Sequence, residues 1–128
     1  MLSQTGIYAL RAMSFLAGQD GETPVLSATI AEEMNIPKNF LSKILNRLVQ
    51  SGLVISMRGR QGGFVLAKPA QEITVRNVVD LFMKLDDFKK CFLVIDTCKG
   101  TCGFHKRWAV ITDQCEKMLD ETSIAEVF

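Results

Sequence analysis

Apolar side chains recur at helical spacing through the first half of the chain, and polar clusters with Gly or Pro divide them into short segments. Positions three and four residues apart share one helical face, so the spacing predicts three helices, over residues 5–18, 28–34 and 37–50. Ser27 is placed to cap the second helix, and Pro37 suits the first turn of the third. Gly52 supplies the left-handed residue that ends the third helix.

The hydrophobic period changes after the third helix. Two apolar runs, residues 53–57 and 64–67, flank a glycine-rich stretch, which predicts a β-hairpin. The hairpin lacks the G-x-x-x-x-G-K-[ST] spacing of a nucleotide-binding loop and does not precede a helix, so we interpret it as a wing that contacts DNA. Thr74 then caps a predicted fourth helix over residues 75–85.

The last quarter of the chain returns to a helical pattern after a connection over residues 86–101. Its apolar residues lie within about 100° of arc: Phe104, Trp108, Ile111, Cys115, Met118 and Leu119. We expect this long helix to pack against a second copy of the chain, and the predicted dimer contacts are Trp108, Ile111, Cys115, Met118 and Leu119. The alternative is that the helix folds back on its own domain.

The third helix has one apolar face and one polar face, and the polar face carries no acid. Asn and Gln can pair with adenine, and Lys can reach guanine or phosphate. Two short helices, a tight turn and a hairpin predict a winged helix-turn-helix. The alternative, a plain amphipathic helix facing solvent, usually mixes both charge signs. The candidate DNA-binding residues are Lys38, Asn39, Phe40, Ser42, Lys43, Asn46, Arg47, Arg58, Arg60, Gln61 and Gly62.

The distribution of charge supports this interpretation better than the net charge of +1 does. Residues 34–71 contain Lys38, Lys43, Arg47, Arg58, Arg60 and Lys68 but no Asp or Glu, and all 14 acids lie outside that stretch. A wholly basic segment in a near-neutral chain is typical of a phosphate-binding surface. Chance clustering of surface charge is the alternative.

Length and composition limit the remaining classes. A chain of 128 residues, 48% of them hydrophobic, predicts one globular domain or a domain with an extension. We find neither a signal-peptide pattern nor an apolar run of the roughly 20 residues that a membrane span needs, so we expect a cytoplasmic protein without membrane contact. With one histidine and no nucleotide motif, no catalytic set is evident, and we expect neither an enzyme nor a small-molecule substrate.

Three cysteines and the only histidine lie within 15 residues, with the spacing Cys91-x6-Cys98-x3-Cys102-x2-His105. Cytosolic cysteines usually stay reduced, and three thiolates with one imidazole suit an iron–sulfur cluster or a tetrahedral zinc ion. The spacing does not decide between them. Cys115 instead lies in the apolar stripe of the last helix, where a buried thiol behaves as a small hydrophobic group.

These features together resemble the IscR family of iron–sulfur-sensing winged-helix regulators over nearly the whole chain. The resemblance rests on five segments: Thr5-Gly-Ile-Tyr-Ala-Leu-Arg-Ala-Met13, Ile36-Pro-Lys-Asn-Phe-Leu-Ser-Lys-Ile-Leu45, Ser51-Gly-Leu-Val54, Arg58-Gly-Arg-Gln-Gly-Gly-Phe64 and Cys102-Gly-Phe-His-Lys-Arg-Trp108. It implies a mostly α fold with a small β-hairpin: a winged helix-turn-helix DNA-binding domain over residues 1–85, a cluster-binding loop over 86–103 and a dimerisation helix over 104–128.

The resemblance also implies a function. Such regulators are homodimers that bind partly palindromic, double-stranded promoter DNA and often carry a 2Fe–2S or 4Fe–4S cluster. By that likeness Cys91, Cys98 and Cys102 are cluster ligands and His105 is the fourth. Members that sense nitric oxide use an N-terminal Asp where this chain has Ile7, so a His-ligated 2Fe–2S centre is favoured. We expect a regulator, acting as a repressor, that responds to iron–sulfur status, redox state or nitric oxide. The alternative is a thiol- or zinc-responsive repressor without such a cluster.

Overall fold

The computed structural model describes residues 2–91, 93 and 98–128. It is mostly helical, with one two-stranded antiparallel hairpin, so it confirms the predicted winged helix-turn-helix with a long C-terminal helix. In chain order the elements are α1 (Gln4–Ala17), α2 (Ser27–Met34), α3 (Lys38–Gln50), β1 (Val54–Met57), β2 (Gly63–Leu66), α4 (Val75–Val79), α5 (Leu85–Phe88) and α6 (Gly103–Glu121). Single 3₁₀ turns lie at Ala70–Glu72 and Ile124–Glu126.

The predicted caps of the helix-turn-helix are only partly correct. Ser27 is the first residue of α2 and not its cap, since Leu26 occupies the cap position without a side-chain hydrogen bond. Pro37 precedes α3, which begins one residue later than predicted, at Lys38. Asn35 ends α2 in the left-handed conformation (φ 53°), which Asn tolerates better than most side chains. The chain therefore turns sharply between α2 and α3.

Helix α3 buries one face against α1 and α2 and leaves the other face exposed. Its buried residues are Leu41, Ile44, Leu45 and Leu48, each at most 1% exposed, and they join the main hydrophobic core. This is the apolar face that the spacing predicts. Burial of that face fixes the direction in which the polar residues of α3 point.

The wing is attached to the connection between α1 and α2. Residues of β1 and β2 pair in register from Val54–Leu66 to Met57–Gly63. Val25 exchanges two backbone hydrogen bonds with Phe64, at 3.0 and 2.8 Å. Gly63 makes this approach possible, because its φ is +153° and a Cβ there would lie 2.5 Å from the Val25 carbonyl oxygen.

The predicted fourth helix over residues 75–85 is wrong as one element. Helix α4 ends at Val79, where the bonding changes to i→i+3 contacts: the N–H groups of Leu81 and Phe82 donate to the carbonyls of Val78 and Val79. The break lets Leu85 enter a small buried cluster with Val75, Val79 and Leu119. The predicted connection over 86–101 thus begins inside α5, and its residues 92 and 94–97 lie outside the described residues.

The C-terminal part of the chain packs against the earlier helices along one side. Ile124 is 1% exposed in the main core, and the N–H groups of Val75 and Ile124 donate to the carbonyls of Thr122 and Ile73. Residues 104–128 therefore share a core with the first part of the chain. The division into three functional parts stays a prediction.

The predicted apolar stripe of α6 is divided between two sides of the helix. Phe104, Ile111 and Met118 recur every seven residues and are 56%, 51% and 55% exposed. Leu119 is 2% exposed and packs within its own chain, so the prediction that it contacts a second subunit is wrong for this residue. Trp108 and Cys115 are half-buried, on the arc between these two sides.

Candidate metal centre and nucleic-acid interface

The N-terminus of α6 places two of the four predicted ligands. Cys102 is the N-cap of the helix, and its Sγ accepts a hydrogen bond from the backbone N–H of His105 at 3.1 Å. The N–H groups of the first helical turn have no acceptor inside the helix, and a sulfur at the N-cap accepts a hydrogen bond from one of them. His105 lies one turn into α6, on the same side as the cap.

The structure brings the other two predicted ligands to this end of α6. The ligand atoms of Cys91, Cys98 and His105 all lie within 4.8 Å of one another. Cys98 Sγ is 3.7 Å from His105 Nδ1, and Cys91 Sγ is 3.8 Å from Cys102 Sγ. All four residues thus meet at one place, although their ligation of a metal stays a prediction. Cys115 is 13 residues beyond Cys102 on the same helix, about 20 Å along its axis.

The backbone around Cys98 stabilises the thiolate form. N–H groups of Gly100, and then of Cys102, lower the pKa of the Cys98 thiol to about 6. For Cys102 the N–H of His105 acts in the same direction, but burial and the neighbouring Cys98 and Cys91 sulfurs outweigh it and raise the pKa. Cys98 is therefore a thiolate at neutral pH, which is the form that binds metals and attacks electrophiles.

Gly100 lies beside the imidazole of His105 in a left-handed conformation. Its φ is +83°, a conformation that other residues rarely adopt, and a Cβ there would lie 3.6 Å from His105 Nε2. The sequence shows this glycine, but only the structure shows that it adjoins the histidine. It shapes the loop between Cys98 and Cys102.

The predicted DNA-binding residues are exposed, with a single exception. The α3 residues Lys38, Asn39, Phe40, Ser42, Lys43, Asn46 and Arg47 and the wing residues Arg58, Arg60 and Gln61 are all exposed. Gly62 is buried, and its N–H donates to the Gly59 carbonyl at 3.0 Å inside the wing, so its predicted role in DNA contact does not fit this geometry. The Phe40 ring also contacts the Tyr8 ring, with 6.1 Å between centroids.

Comparison with known proteins identifies the family. Residues 2–128 match the family model described as "Rrf2: Iron-dependent Transcriptional regulator". The chain belongs to the Rrf2 family. It is similar to proteins named HTH-type transcriptional regulator IscR in Pectobacterium atrosepticum (33% identical) and Photorhabdus laumondii (34% identical), in each case over 98% of this chain and 77% of the relative. The resemblance to IscR-type regulators is thereby confirmed.

Solved structures agree with this assignment. The chain is similar to CymR of B. subtilis (TM-score 0.81, 26% identity, 99% of this chain and 95% of that one) and to IscR of T. potens (TM-score 0.77, 28% identity, 98% and 84%). The protein is a winged-helix transcriptional regulator of the Rrf2 family. In the part of the chain that the structure describes, no helix is both long enough and apolar enough to cross a membrane.

In this Rrf2 regulator, contacts distant in sequence hold the segment before Cys91 against α6. The indole N–H of Trp108 donates to the Phe88 carbonyl, and Lys89 pairs with Glu116. The lysine lowers the pKa of the Glu116 carboxyl, and the carboxylate raises that of Lys89. Glu116 also pairs with Arg76 of α4 at 3.3 Å. Sequence analysis missed Lys89, Glu116 and Arg76, because no local pattern marks a long-range ion pair.

Proposed function

We propose that this Rrf2 regulator controls transcription by binding promoter DNA as a homodimer, and that an iron–sulfur cluster modulates the binding. The cluster ligands are Cys91, Cys98, Cys102 and His105. A 2Fe–2S centre is favoured, a 4Fe–4S centre is the other option, and the protein is expected to act as a repressor. The observation that carries the proposal is the convergence of these thiols and the imidazole next to a winged helix-turn-helix.

The residues fit such a group chemically. Three thiols and one imidazole are donors that iron–sulfur clusters use, and Cys98 is ionised at neutral pH. When bound, a cluster supplies a reversible redox couple and a group that oxidants or nitric oxide remove. Cys102 and His105 hold their ligand atoms on a regular helix, whereas Cys91 and Cys98 come from the preceding segment. The ligand set therefore ties that segment to α6.

DNA recognition is proposed to divide between α3 and the wing. Helix α3 enters the major groove, where Asn39, Ser42 and Lys43 contact base edges. Arg58 and Arg60 of the wing contact phosphates at the flanking minor groove. The acid-free segment over residues 34–71 supports this arrangement, because Lys and Arg that contact phosphates release counterions from the duplex and so supply affinity.

The second copy of the chain is proposed to pack along the outward side of α6. Ile111 and Met118 are both more than half exposed there, at a seven-residue spacing that suits the contact between two helices. Trp108 and Cys115 border this side and remain candidates for the contact. A twofold dimer then presents two α3 helices to two half-sites of a partly palindromic promoter.

A second candidate function has one specific observation in its favour. Two sulfurs bound to one tetrahedral zinc ion at about 2.3 Å lie about 3.8 Å apart. That is the Cys91–Cys102 separation, and the Cys98–His105 separation of 3.7 Å is similar. Two ligands of one iron in a cluster lie equally close together, but ligands of different irons lie further apart. The observation that favours a single ion is that the ligand atoms of Cys91, Cys98 and His105 all lie within 4.8 Å of one another. The alternative is thus a zinc-binding or thiol-based regulator with the same DNA surface.

One experiment separates the two candidates. The protein is purified without oxygen, and iron, acid-labile sulfide and zinc are counted per chain for wild type, His105→Ala and Cys115→Ala. The proposal predicts iron and sulfide in nearly equal amounts, a visible spectrum changed by His105→Ala and unchanged by Cys115→Ala, and promoter affinity that differs between loaded and cluster-free protein. One zinc per chain without iron would establish the alternative. A colourless protein that no iron and sulfide treatment reconstitutes would refute the cluster.

A further inference from the structure

Cys91 depends on distant contacts for its position beside the other ligands. It precedes Cys102 by 11 residues, and the last buried anchor before it is Leu85 in the cluster with Leu119. Closing a loop of this length costs conformational entropy that metal binding must otherwise supply. Contacts that already hold the segment next to α6 reduce that cost.

Trp108 makes the first of these contacts. It follows His105 by three residues, so the two side chains share one face of α6. Its indole N–H donates to the backbone carbonyl of Phe88. Because the acceptor is a backbone atom, the bond fixes the path of the chain three residues before Cys91, whatever side chain position 88 carries.

Glu116 makes the second contact, two turns further along α6. Its carboxylate pairs with Lys89, two residues before Cys91, and also with Arg76 of α4 at 3.3 Å. The Glu116 side chain is only 19% exposed, so water screens this pair less than the surface pair of Lys117 with Glu121, which are 73% and 65% exposed. Cys91 itself is 8% exposed, as expected of a residue held against the helix.

We propose that Trp108 and Glu116 are positioning residues of the metal centre. They do not bind the metal. They hold the segment Phe88–Lys89 against α6, so that the Cys91 sulfur lies within reach of the metal. The inference rests on the proposed metal-binding function. It assigns to Trp108 a role inside its own subunit in addition to its candidate place at the dimer contact. Residues that orient ligands in this way typically change metal affinity by about 10–100-fold.

Cobalt(II) tests the proposal, because its sulfur-to-metal charge-transfer absorption grows with the number of bound thiolates. Metal-free protein is titrated anaerobically with Co²⁺ as wild type, Trp108→Phe, Glu116→Gln and Cys91→Ser. Trp108→Phe keeps an aromatic ring but loses the N–H, and Glu116→Gln keeps the side-chain size but loses the charge. Glu121→Gln is the matched control, because its only described ion pair joins it to Lys117 within α6.

We expect Trp108→Phe and Glu116→Gln to weaken Co²⁺ binding by tenfold or more. Their charge-transfer absorption per bound cobalt should fall towards that of Cys91→Ser, while Glu121→Gln stays at the wild-type value. Wild-type affinity and absorption in both variants would overturn the inference. Failure of wild type itself to bind Co²⁺ would instead overturn the proposed metal site. Thermal unfolding of the metal-free proteins checks folding, and Glu116→Gln alone carries the test if Trp108→Phe does not fold.

Discussion

Replacement of Leu119 by alanine should destabilise each subunit, whereas the same change at its neighbour Met118 should act mainly on association between subunits. Leu119 is 2% exposed and packs on Val75, Val79 and Leu85. Complete burial of a leucine side chain contributes about 1.5–3 kcal/mol, and the cavity left by truncation raises the typical cost to about 2–5 kcal/mol. The cluster is small and able to relax in part, so we expect about 3 kcal/mol.

Met118 lies on the other side of α6 and is 55% exposed. Truncation there removes about half of the contact area of a buried side chain, so within one subunit we expect a loss of at most about 1 kcal/mol. In a dimer that uses this side of α6, the same truncation removes contacts with the second copy. Its effect should therefore depend on protein concentration.

Urea unfolding followed by circular dichroism, at two protein concentrations about 50-fold apart, separates the two effects. Leu119→Ala should lower the free energy of unfolding by the same amount at both concentrations. Met118→Ala should lower the midpoint most at the higher concentration and shift sedimentation towards the monomer. A cost below about 1 kcal/mol for Leu119→Ala would contradict its burial. An unchanged dimer in Met118→Ala would refute the proposed contact surface.

Three further predictions concern the wing, the thiols and the DNA surface. Gly63→Ala should destabilise the protein by about 1–3 kcal/mol and weaken promoter binding, because the new Cβ would lie 2.5 Å from the Val25 carbonyl oxygen. Gly18→Ala is the control: the φ of Gly18 is −81°, so thermal unfolding should show little change in stability. Iodoacetamide should modify Cys98 of metal-free protein at a rate that rises with pH through about 6, where the thiolate forms, and then levels off; a rate still rising at 9.0 would contradict the lowered pKa. Arg47→Ala should reduce the slope of log affinity against log salt by about 1, and Lys117→Ala should leave it unchanged; equal slopes would remove Arg47 from the phosphate contacts.

The fold could be predicted because its decisive signals are local. The spacing of Leu41, Ile44, Leu45 and Leu48 defines a helix with one buried face, and that face alone determines where the polar residues of α3 point. The wing is equally local, since its strands and its glycine-rich loop are adjacent in sequence. For these elements tertiary packing agrees with the local preference.

The predictions that fail concern features that depend on tertiary packing, because the local sequence pattern is compatible with more than one arrangement. Periodicity shows that one side of α6 is apolar but not which neighbour covers it, and the structure divides the stripe so that Leu119 faces its own chain and Met118 faces outward. The predicted fourth helix fails for a related reason. Helical propensity continues past Val79, but the helix ends there and Leu85 is buried against Leu119, 34 positions away.

At the candidate site, too, the local features could be predicted and the long-range contacts could not. The four candidate ligands lie within 15 residues of one another, so their spacing and chemistry mark them as a possible metal site, and their side chains lie close together in the structure. The long-range contacts that hold the segment before Cys91 in place could not be predicted from the sequence. Trp108 reaches a carbonyl 20 positions away, and Arg76 reaches Asp120 across 44 positions.

Helix α6 links the candidate metal centre to α4 of its own subunit, and in the proposed dimer it also contacts the second subunit. Its C-terminal half is fixed to α4 by Leu119 and by the backbone bond from Val75 to Thr122, while its N-terminal end carries Cys102 and His105. Its 19 residues span about 28 Å, so a tilt of about 5° moves one end by about 2.5 Å relative to the other. Hydrogen bonds to base edges tolerate only a few tenths of an ångström. We therefore expect a small rearrangement at the candidate ligands to change how the two α3 helices of the proposed dimer fit half-sites about 34 Å apart, with a coupling of about 1–3 kcal/mol.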